Sequence, residues 1–573
     1  MFPPSRGKKI DLKKDDLIQI KLSEESEETF ARVLNRSKAT GRYYNYFNIR
    51  GEDGLERNVD LERLMYRKVT EEEVHMVTIP REEQNNDECK RAKETELKKL
   101  EEFDSFDEVD DVGQYRISTT WVLWYKGEEV RARLVARGFE ETEDIPSDSP
   151  TVDKGNMRLL LLIAASKDWI VETSDAKSAF LQGKQLDRTV VLSPPKEANR
   201  PKGKLWRLKV ALYGLNDASL QFFLKCKEVL LSLGCIQSTF DPAMFVMHDT
   251  NGDLIGMIVL HVDDFLHAGS DTFRSKVTKK LEEIFTMGKT EQKLFKYVGF
   301  NICQGDQGIQ VSMKDYAEEK VEIFDVDPDR ALHQEDDLTE EEKSLLRKTA
   351  GRIGWLGRGA RPDLVFAQIE MSTKFLSGKV KDLIRASKMT RKVKSSESDF
   401  FIRKLGPVTG WTVEVSTDAS LSNLNDGVDS VEARVILVKN NKNDCAPIIW
   451  SANKIKRIVD STLEAECLSL LSGLKEAIYL REVIEEIFNL RDKTVPVKAI
   501  VDNKSTVDAI YSTAPVEDKK LRRDVARIKQ MLSSKEIQSV SWCPGKEQLA
   551  DCMTKRTASS FKLLTVFKSG RRD

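Results

Sequence analysis

The sequence of 573 residues contains no apolar run approaching the roughly 18 residues that cross a bilayer, so no membrane partner is expected. Its opening stretch, MFPPSRGKKIDLKKDD, has no apolar core of the kind a secretion signal carries. The eight cysteines are scattered without a single CxxC pair, which argues against structural zinc and for a reducing, intracellular setting. Histidine is scarce, with five in all, so a His-based metal centre or general base is a poor starting point. Neither sign of charge dominates: 92 Lys and Arg stand against 94 Asp and Glu, and the chain as a whole is no polycation. No internal repeat is visible.

What is present is a polar, globular composition, 40% hydrophobic and 32% charged, in a chain too long for one core. Residues 8–80 alternate short β-like runs with turns, the pattern of a small β-barrel or sandwich. A charged helical stretch follows, and from Ile117 two β-rich runs flank Lys126-Gly127 as a hairpin. NMRLLLLIAASKDW has the composition of a buried helix, and SLQFFLKCKEVLLSLG reads as another, closed by Gly234. A hairpin is expected about Gly305 to Gly308, and residues 330–405 are mostly helical and charged. From Gly410 strands return, then a long amphipathic helix, then alternating strands and helices, a compact α/β domain.

Charge is unevenly placed. Eight Lys and Arg face three acids in 381–404, and seven face one acid in 519–535. Such runs are usually solvated helix faces, and they become candidate phosphate tracks only where another part of the chain calls for nucleic acid.

Within IVLHVDDFLHAG, residues 258–269, Asp263 and Asp264 interrupt strand-like apolar residues. An unpaired buried carboxylate costs several kcal/mol or shifts its pKa, so a turn, an ion pair or a metal site must explain them. Asp175 ends a second apolar run, WIVETSD. Two strands delivering carboxylates to one edge make an oxygen-only site, which suits Mg²⁺ better than zinc. Read singly, each acid is an ordinary strand-end residue.

Taken in order, ARLVARGF, TSDAKSAFLQG, LKVALYGLNDAS, HVDDFLHAG and KYVGFNI resemble the reverse transcriptase of copia-type LTR retrotransposons. The resemblance covers residues 90 to 330, and LRKTAGRIGWLGRGARPDLVFA (346–367) extends it. It implies that Asp175, Asp263 and Asp264 are catalytic acids binding two Mg²⁺ ions, or Mn²⁺ in their place. It puts Phe180 under the incoming sugar, where a ring would exclude a 2′-hydroxyl, and Arg131 and Arg133 on a fingers hairpin that meets the triphosphate. Tyr213 and Gly214, in LYGL, correspond to a segment packing against template and nucleotide, and YVGF (297–300) to a primer-gripping hairpin. Two departures stand out: His261 replaces the family's usual aromatic, and NDASLQFF lacks the usual Pro and Trp.

A second acid set follows: Asp418 at a strand end, Glu464 and Glu466 on a helix, Asp502 ending a strand and Asp551 opening a final helix. This set, with DNKSTVDA and ADCMTK, resembles the RNase H of the same elements over 411–555. The resemblance implies a second two-metal centre of Asp418, Glu466, Asp502 and Asp551. Positions 464 and 466 point about 200° apart on a helix, and periodicity alone does not choose between them. The family's AE step favours Glu466, with Glu464 as the fallback. WCPGKEQLAD carries no histidine, where many such enzymes have a mobile one that helps product leave, which implies slower turnover or Lys546 filling part of that role.

The expected fold is multidomain α+β. A small β-rich domain (1–80, integrase-tail type) precedes reverse transcriptase fingers and palm (81–330), a helical thumb or connection (331–410), an RNase H-like α/β domain (411–555) and a basic tail (556–573). No integrase core and no protease motif is evident, so the chain looks like the downstream part of a Pol polyprotein. Expected partners are an RNA template, a DNA primer, RNA–DNA hybrid, dNTPs and other Pol and Gag products, in a cytoplasmic virus-like particle or the nucleus. The competing reading is an inactive, nucleic-acid-binding relic of such an element.

Overall fold

The computed structural model describes residue 79, residues 83–572 apart from 127–128, 144, 425–426, 492–493 and 515, and the backbone of five strands between 17 and 69. The chain forms two compact units, Met1–Pro150 with Ala176–Ser232, and Thr151–Asp175 with Leu233–Asp573.

In the first unit, the five N-terminal strands form one antiparallel sheet in the order Glu56–Asp60, Tyr46–Gly51, Glu28–Arg36, Leu17–Lys21, Met65–Val69. The rest of the expected 1–80 domain lies outside the described residues. Helix Asp87–Glu102 is started by Asn86, whose side chain accepts from the Cys89 amide. It buries Cys89 with Leu123, Val130 and Ala132 of the hairpin Thr119–Lys126/Glu129–Ala136, the expected pair, whose turn at Gly127 is not described. A three-stranded sheet (Val191–Leu192, Lys204–Leu208, Phe106–Asp110) is pinned by Phe106 stacked on Trp206 at 4.2 Å. Helix Ala218–Ser232 completes the unit.

The second unit is built around helix Lys154–Ser166, in which every residue from Gly155 to Ala165 is buried. A helix apolar all round belongs in a core, as its sequence implies. One polar residue on it, Arg158, is anchored within that core: its guanidinium donates to the carbonyls of Ile448, Arg358 and Gly359 and lies 3.6 Å from the Trp450 ring centre. Strands of three sheets surround this helix. The first is six-stranded and antiparallel: Ile236–Gln237, Met244–His248, Leu254–His261, Asp264–Gly269, Val171–Asp175, Glu291–Gln292. The second is four-stranded, with Phe300–Gly305 and Gly308–Ser312 joined by the expected Gly305–Gly308 turn.

The third sheet has the order Cys445–Lys454, Asp429–Lys439, Thr412–Leu424, Val497–Val501, Ser539–Trp542, antiparallel on one side of Thr412–Leu424 and parallel on the other. The long helix Thr462–Ile487 crosses it so closely that a Cβ at Gly473 would lie 2.4 Å from Thr417. Helix Glu340–Gly359, with a Thr339/Glu342 capping box, and helices Val365–Thr373 and Val380–Lys394 occupy most of 331–410, but the expected helical segment ends in strand Asp399–Arg403, which pairs with Gly308–Ser312 in the four-stranded sheet.

The stretch after 556, set apart by sequence as a basic tail, is largely a docked helix. Phe561–Ser569 buries Leu563, Val566 and Phe567, the last 5.0 Å from the Trp450 ring, and Arg572 pairs with Glu414 at 2.6 Å. No helix among the described residues is long and apolar enough to cross a membrane. All eight cysteines are free thiols.

Candidate metal centres

The first centre is a product of strand register. Val171–Asp175 pairs with Asp264–Gly269 so that Asp175 lies directly opposite Asp264. Residues opposite one another in an antiparallel pair project to the same face. Asp264 also faces His261 across a turn of two residues, Val262 and Asp263. Val262 has φ +57°, the left-handed region, which costs a β-branched residue about 1–3 kcal/mol. The chain therefore keeps a strained valine at the apex that presents both acids. These acids are less buried than their apolar run implies: Asp175 is exposed at its strand end, and Asp263 and Asp264 are intermediate.

Three further residues lie around this hairpin, of which Gly288 carries no obvious sequence signal. The Gly288 amide donates to the Asp175 carbonyl at 2.7 Å, and a Cβ there would lie 2.1 Å from Asp175 Oδ1. Only glycine leaves the carboxylate its position. Tyr297 is buried with its hydroxyl in no hydrogen bond, and burial beside Asp264 and Asp241 pushes the phenol well above its usual range. His267, on the Asp264 strand, is fully buried and neither ring nitrogen is hydrogen-bonded. Burial, with Arg274 nearby, lowers it to about 4, while Glu172, 3.8 Å from Nδ1, is itself paired with Arg274.

The predicted substrate residues of the first unit gather in part. The Arg133 guanidinium lies 4.0 Å over the Tyr213 ring, whose other neighbour is Phe180 at 4.9 Å. Arg131, two residues away on the same strand, instead pairs with Glu129 at 2.8 Å. Gly214 has φ +88°, and a Cβ there would lie 2.1 Å from the Ala136 carbonyl, so LYGL needs glycine for a close backbone approach. Within NDASLQFF, Asp217 is fully buried and accepts two bonds from Arg188, which also holds Glu141.

In the second centre the side chains themselves converge. Oxygens of Asp418, Asp502 and Asp551 lie within 4.8 Å of one another, the one such metal-ligating group among the described residues. Asp418 is fully buried in strand Thr412–Leu424, Asp502 follows Val497–Val501, and Asp551 opens a 3₁₀ turn. Glu466 is buried beside them with Oε2 in no hydrogen bond, whereas Glu464 is taken by Arg457 at 3.0 Å and the Asp460 amide at 2.9 Å. Of the two glutamates, Glu466 is the one with a carboxylate oxygen left open beside the three aspartates. Burial and the neighbouring carboxylates push both Asp418 and Glu466 above the usual carboxylate range. Lys546 is not the cation that reaches these acids. Lys555 does, at 3.3 Å from Asp418 Oδ1 and in closer contact with Asp551.

The two basic runs differ. On helix Val380–Lys394, Lys381 pairs with Glu335, Arg385 with Asp382, Arg391 with Asp325 and Lys392 with Asp363. On helix Lys519–Ser533, Leu521, Val525, Ile528 and Met531 are buried, while Lys519, Lys520, Arg522, Arg523 and Arg527 line its outer side.

Comparison with known proteins gives a match over part of the chain. Residues 104–331 match the family described as reverse transcriptase (RNA-dependent DNA polymerase). The chain is similar to the retrovirus-related Pol polyprotein from transposon RE2 of Arabidopsis thaliana, 25% identical over 376 residues, 62% of this chain and 25% of that protein. It is also similar to the one from transposon TNT 1-94 of Nicotiana tabacum, 26% identical over 407 residues, 66% of this chain and 29% of that protein. The chain thus spans between a quarter and a third of the length of these relatives. Among solved structures, a foamy viral protease–reverse transcriptase in complex with double-stranded DNA matches with TM-score 0.50 at 12% identity, over 80% of this chain and 70% of that one. That likeness is one of fold.

Proposed function

We propose that this chain, which resembles the reverse transcriptase region of Pol polyproteins of copia-type retrotransposons, is an RNA-directed DNA polymerase with a fused RNase H. The observation that carries the reading is the register placing Asp175 opposite Asp264, with Asp263 beside it in a strained turn. In this reading the six-stranded sheet is the palm, the helix and hairpin of 87–136 belong to the fingers, the helices of 340–394 form the thumb or connection, and 411–555 is the RNase H domain.

Asp175, Asp263 and Asp264 hold two divalent cations, Mg²⁺ or Mn²⁺, oxygen donors being what these ions prefer. Bound there, the ions supply activation of the primer 3′-hydroxyl and stabilisation of the leaving oxygen. Arg133, fixed by stacking on Tyr213, offers a planar fork to a triphosphate, and Phe180, packed on the same ring, bars a 2′-hydroxyl from the sugar. In the second centre Asp418, Glu466, Asp502 and Asp551 hold the cations for hydrolysis of the RNA strand. The outward-facing lysines and arginines of Lys519–Ser533 follow the phosphates of the hybrid without reading sequence. Template, primer, dNTPs, hybrid and other products of the element are the partners, in a cytoplasmic particle or the nucleus.

The rival, a relic that binds hybrid without extending it, draws on His261, which stands in place of the family's usual aromatic beside the two acids. Primer extension on an oligo(dT)-primed RNA with Mg²⁺ separates the two. We expect extension by the wild type and none by Asp263→Asn. A folded wild type that binds hybrid and extends nothing would establish the relic, and equal extension by both would show that Asp263 is not a ligand.

A further inference from the structure

The second centre holds one feature that its proposed chemistry does not use: a lysine among the acids. Lys555 follows the 3₁₀ turn Asp551–Met553, and its amide donates to the Asp551 carbonyl at 3.2 Å. The chain thereby folds its ammonium back onto Asp551 Oδ1, within 3.3 Å of Asp418 Oδ1. Thr554, fully buried, donates its hydroxyl to the other Asp418 oxygen. Both oxygens of Asp418 are therefore engaged from one short segment.

The opposite side of the centre is different. Among the described residues no lysine or arginine pairs with Glu466 or Asp502, and Glu466 Oε2 is buried without any partner. Four carboxylates share one ammonium, which is in direct contact only with Asp418 and Asp551 and acts on Asp502 and Glu466 from further off. The donor set suits a hard divalent ion: oxygens alone, three of them within 4.8 Å, and a buried acceptor waiting for a cation.

We propose that Lys555 is a resident counter-cation that occupies the Asp418–Asp551 corner, so that the second divalent ion enters only by exchange for its ammonium. The inference rests on reading this centre as a metal site. The first ion enters on the Glu466–Asp502 side, which no ammonium contacts directly, and filling the other corner requires Lys555 to withdraw. Its side chain is 37% exposed on a flexible four-carbon stem, so it leaves into solvent without unpacking the domain. Without metal it limits the mutual repulsion of the acids. Displaced, it becomes a free cation at the rim of a site that takes a phosphate backbone.

The test is a Mn²⁺ titration of the full chain without nucleic acid, with free Mn²⁺ read by electron paramagnetic resonance. Asp263→Asn and Asp264→Asn are present throughout, to remove the first centre from the count. With Lys555 in place, one ion binds tightly and a second about tenfold or more weaker, the scale of one charge-assisted contact. Lys555→Gln brings the second ion to an affinity near the first, and Lys555→Arg, which keeps the charge, retains the gap. If the Gln isotherm superposes on that of unchanged Lys555 while Asp418→Asn weakens binding, the lysine is idle and the proposal fails. If Asp418→Asn also changes nothing, the centre is no metal site and the underlying reading fails with it.

Discussion

The two acid centres place their carboxylates by opposite means. At the first, backbone does the placing: register sets Asp264 against Asp175, and a strained Val262 holds the apex, while the acids themselves are half-buried or exposed. At the second, side chains converge inside the fold, where Asp418 is fully buried and Thr554, Lys555 and the Ala419 amide hold the acids. The difference follows from solvent. Carboxylates open to water repel one another weakly, so a rigid backbone is enough to place them. Carboxylates withdrawn from water repel strongly and shift upward in pKa, so the fold has to bring a cation to them.

If the first centre depends on backbone placement, the most damaging change that leaves its acids untouched is at Gly288. Gly288→Ala puts a methyl 2.1 Å from Asp175 Oδ1, and we expect primer extension to fall by roughly 10²-fold, as for a displacement of about 1 Å at a reacting centre. Cleavage of the RNA strand should be unchanged, and equal loss of both activities would show that the substitution disrupts the fold as a whole.

The strand behind Asp264 also makes the first centre acid-sensitive. His267 is held neutral at about 4 when folded, against about 6.5 when unfolded, so its contribution is full above pH 6.5 and is lost as pH falls toward 4. Roughly 3 kcal/mol is at stake across that window. Besides Arg274, the charged group facing it is Glu172, which Arg274 already neutralises. His267→Leu should therefore remove much of the fall in denaturation midpoint between pH 6.5 and 4.5, and an unchanged pH profile would refute this.

The smallest effects separate the two basic runs. Alanine at Lys519, Lys520 or Arg523 should weaken hybrid binding a few-fold and reduce the salt slope by about one for each phosphate no longer neutralised. Alanine at Lys381 or Arg391, already paired with Glu335 and Asp325, should leave the salt slope as it is. The same slope change from both helices would mean that the ion pairs on Val380–Lys394 open on binding.

The acids are readable in the sequence because each interrupts an apolar run, and a period of two or 3.6 survives without knowledge of partners. Their companions are not. Gly288 matters through its approach to a strand more than a hundred residues earlier, and Lys555 looks like any charged residue near a chain end until Asp418 is brought beside it. The run 381–404 shows its charge but not the acids that neutralise it, which come from 325, 335 and 363. The docked helix after 556 is the more legible miss: in FKLLTVF, Leu563, Val566 and Phe567 fall at helical spacing under a net positive charge.

That one chain carries two independent centres is best tested by a crossed pair of variants. Wild type, Asp264→Asn and Asp418→Asn would be given the same primed RNA, with extension and RNA-strand cleavage measured in parallel. We predict that Asp264→Asn loses extension by about 10³-fold and keeps cleavage, and that Asp418→Asn does the reverse. Loss of both activities in either variant, or their survival in both, would show that the centres are not independent catalytic sites.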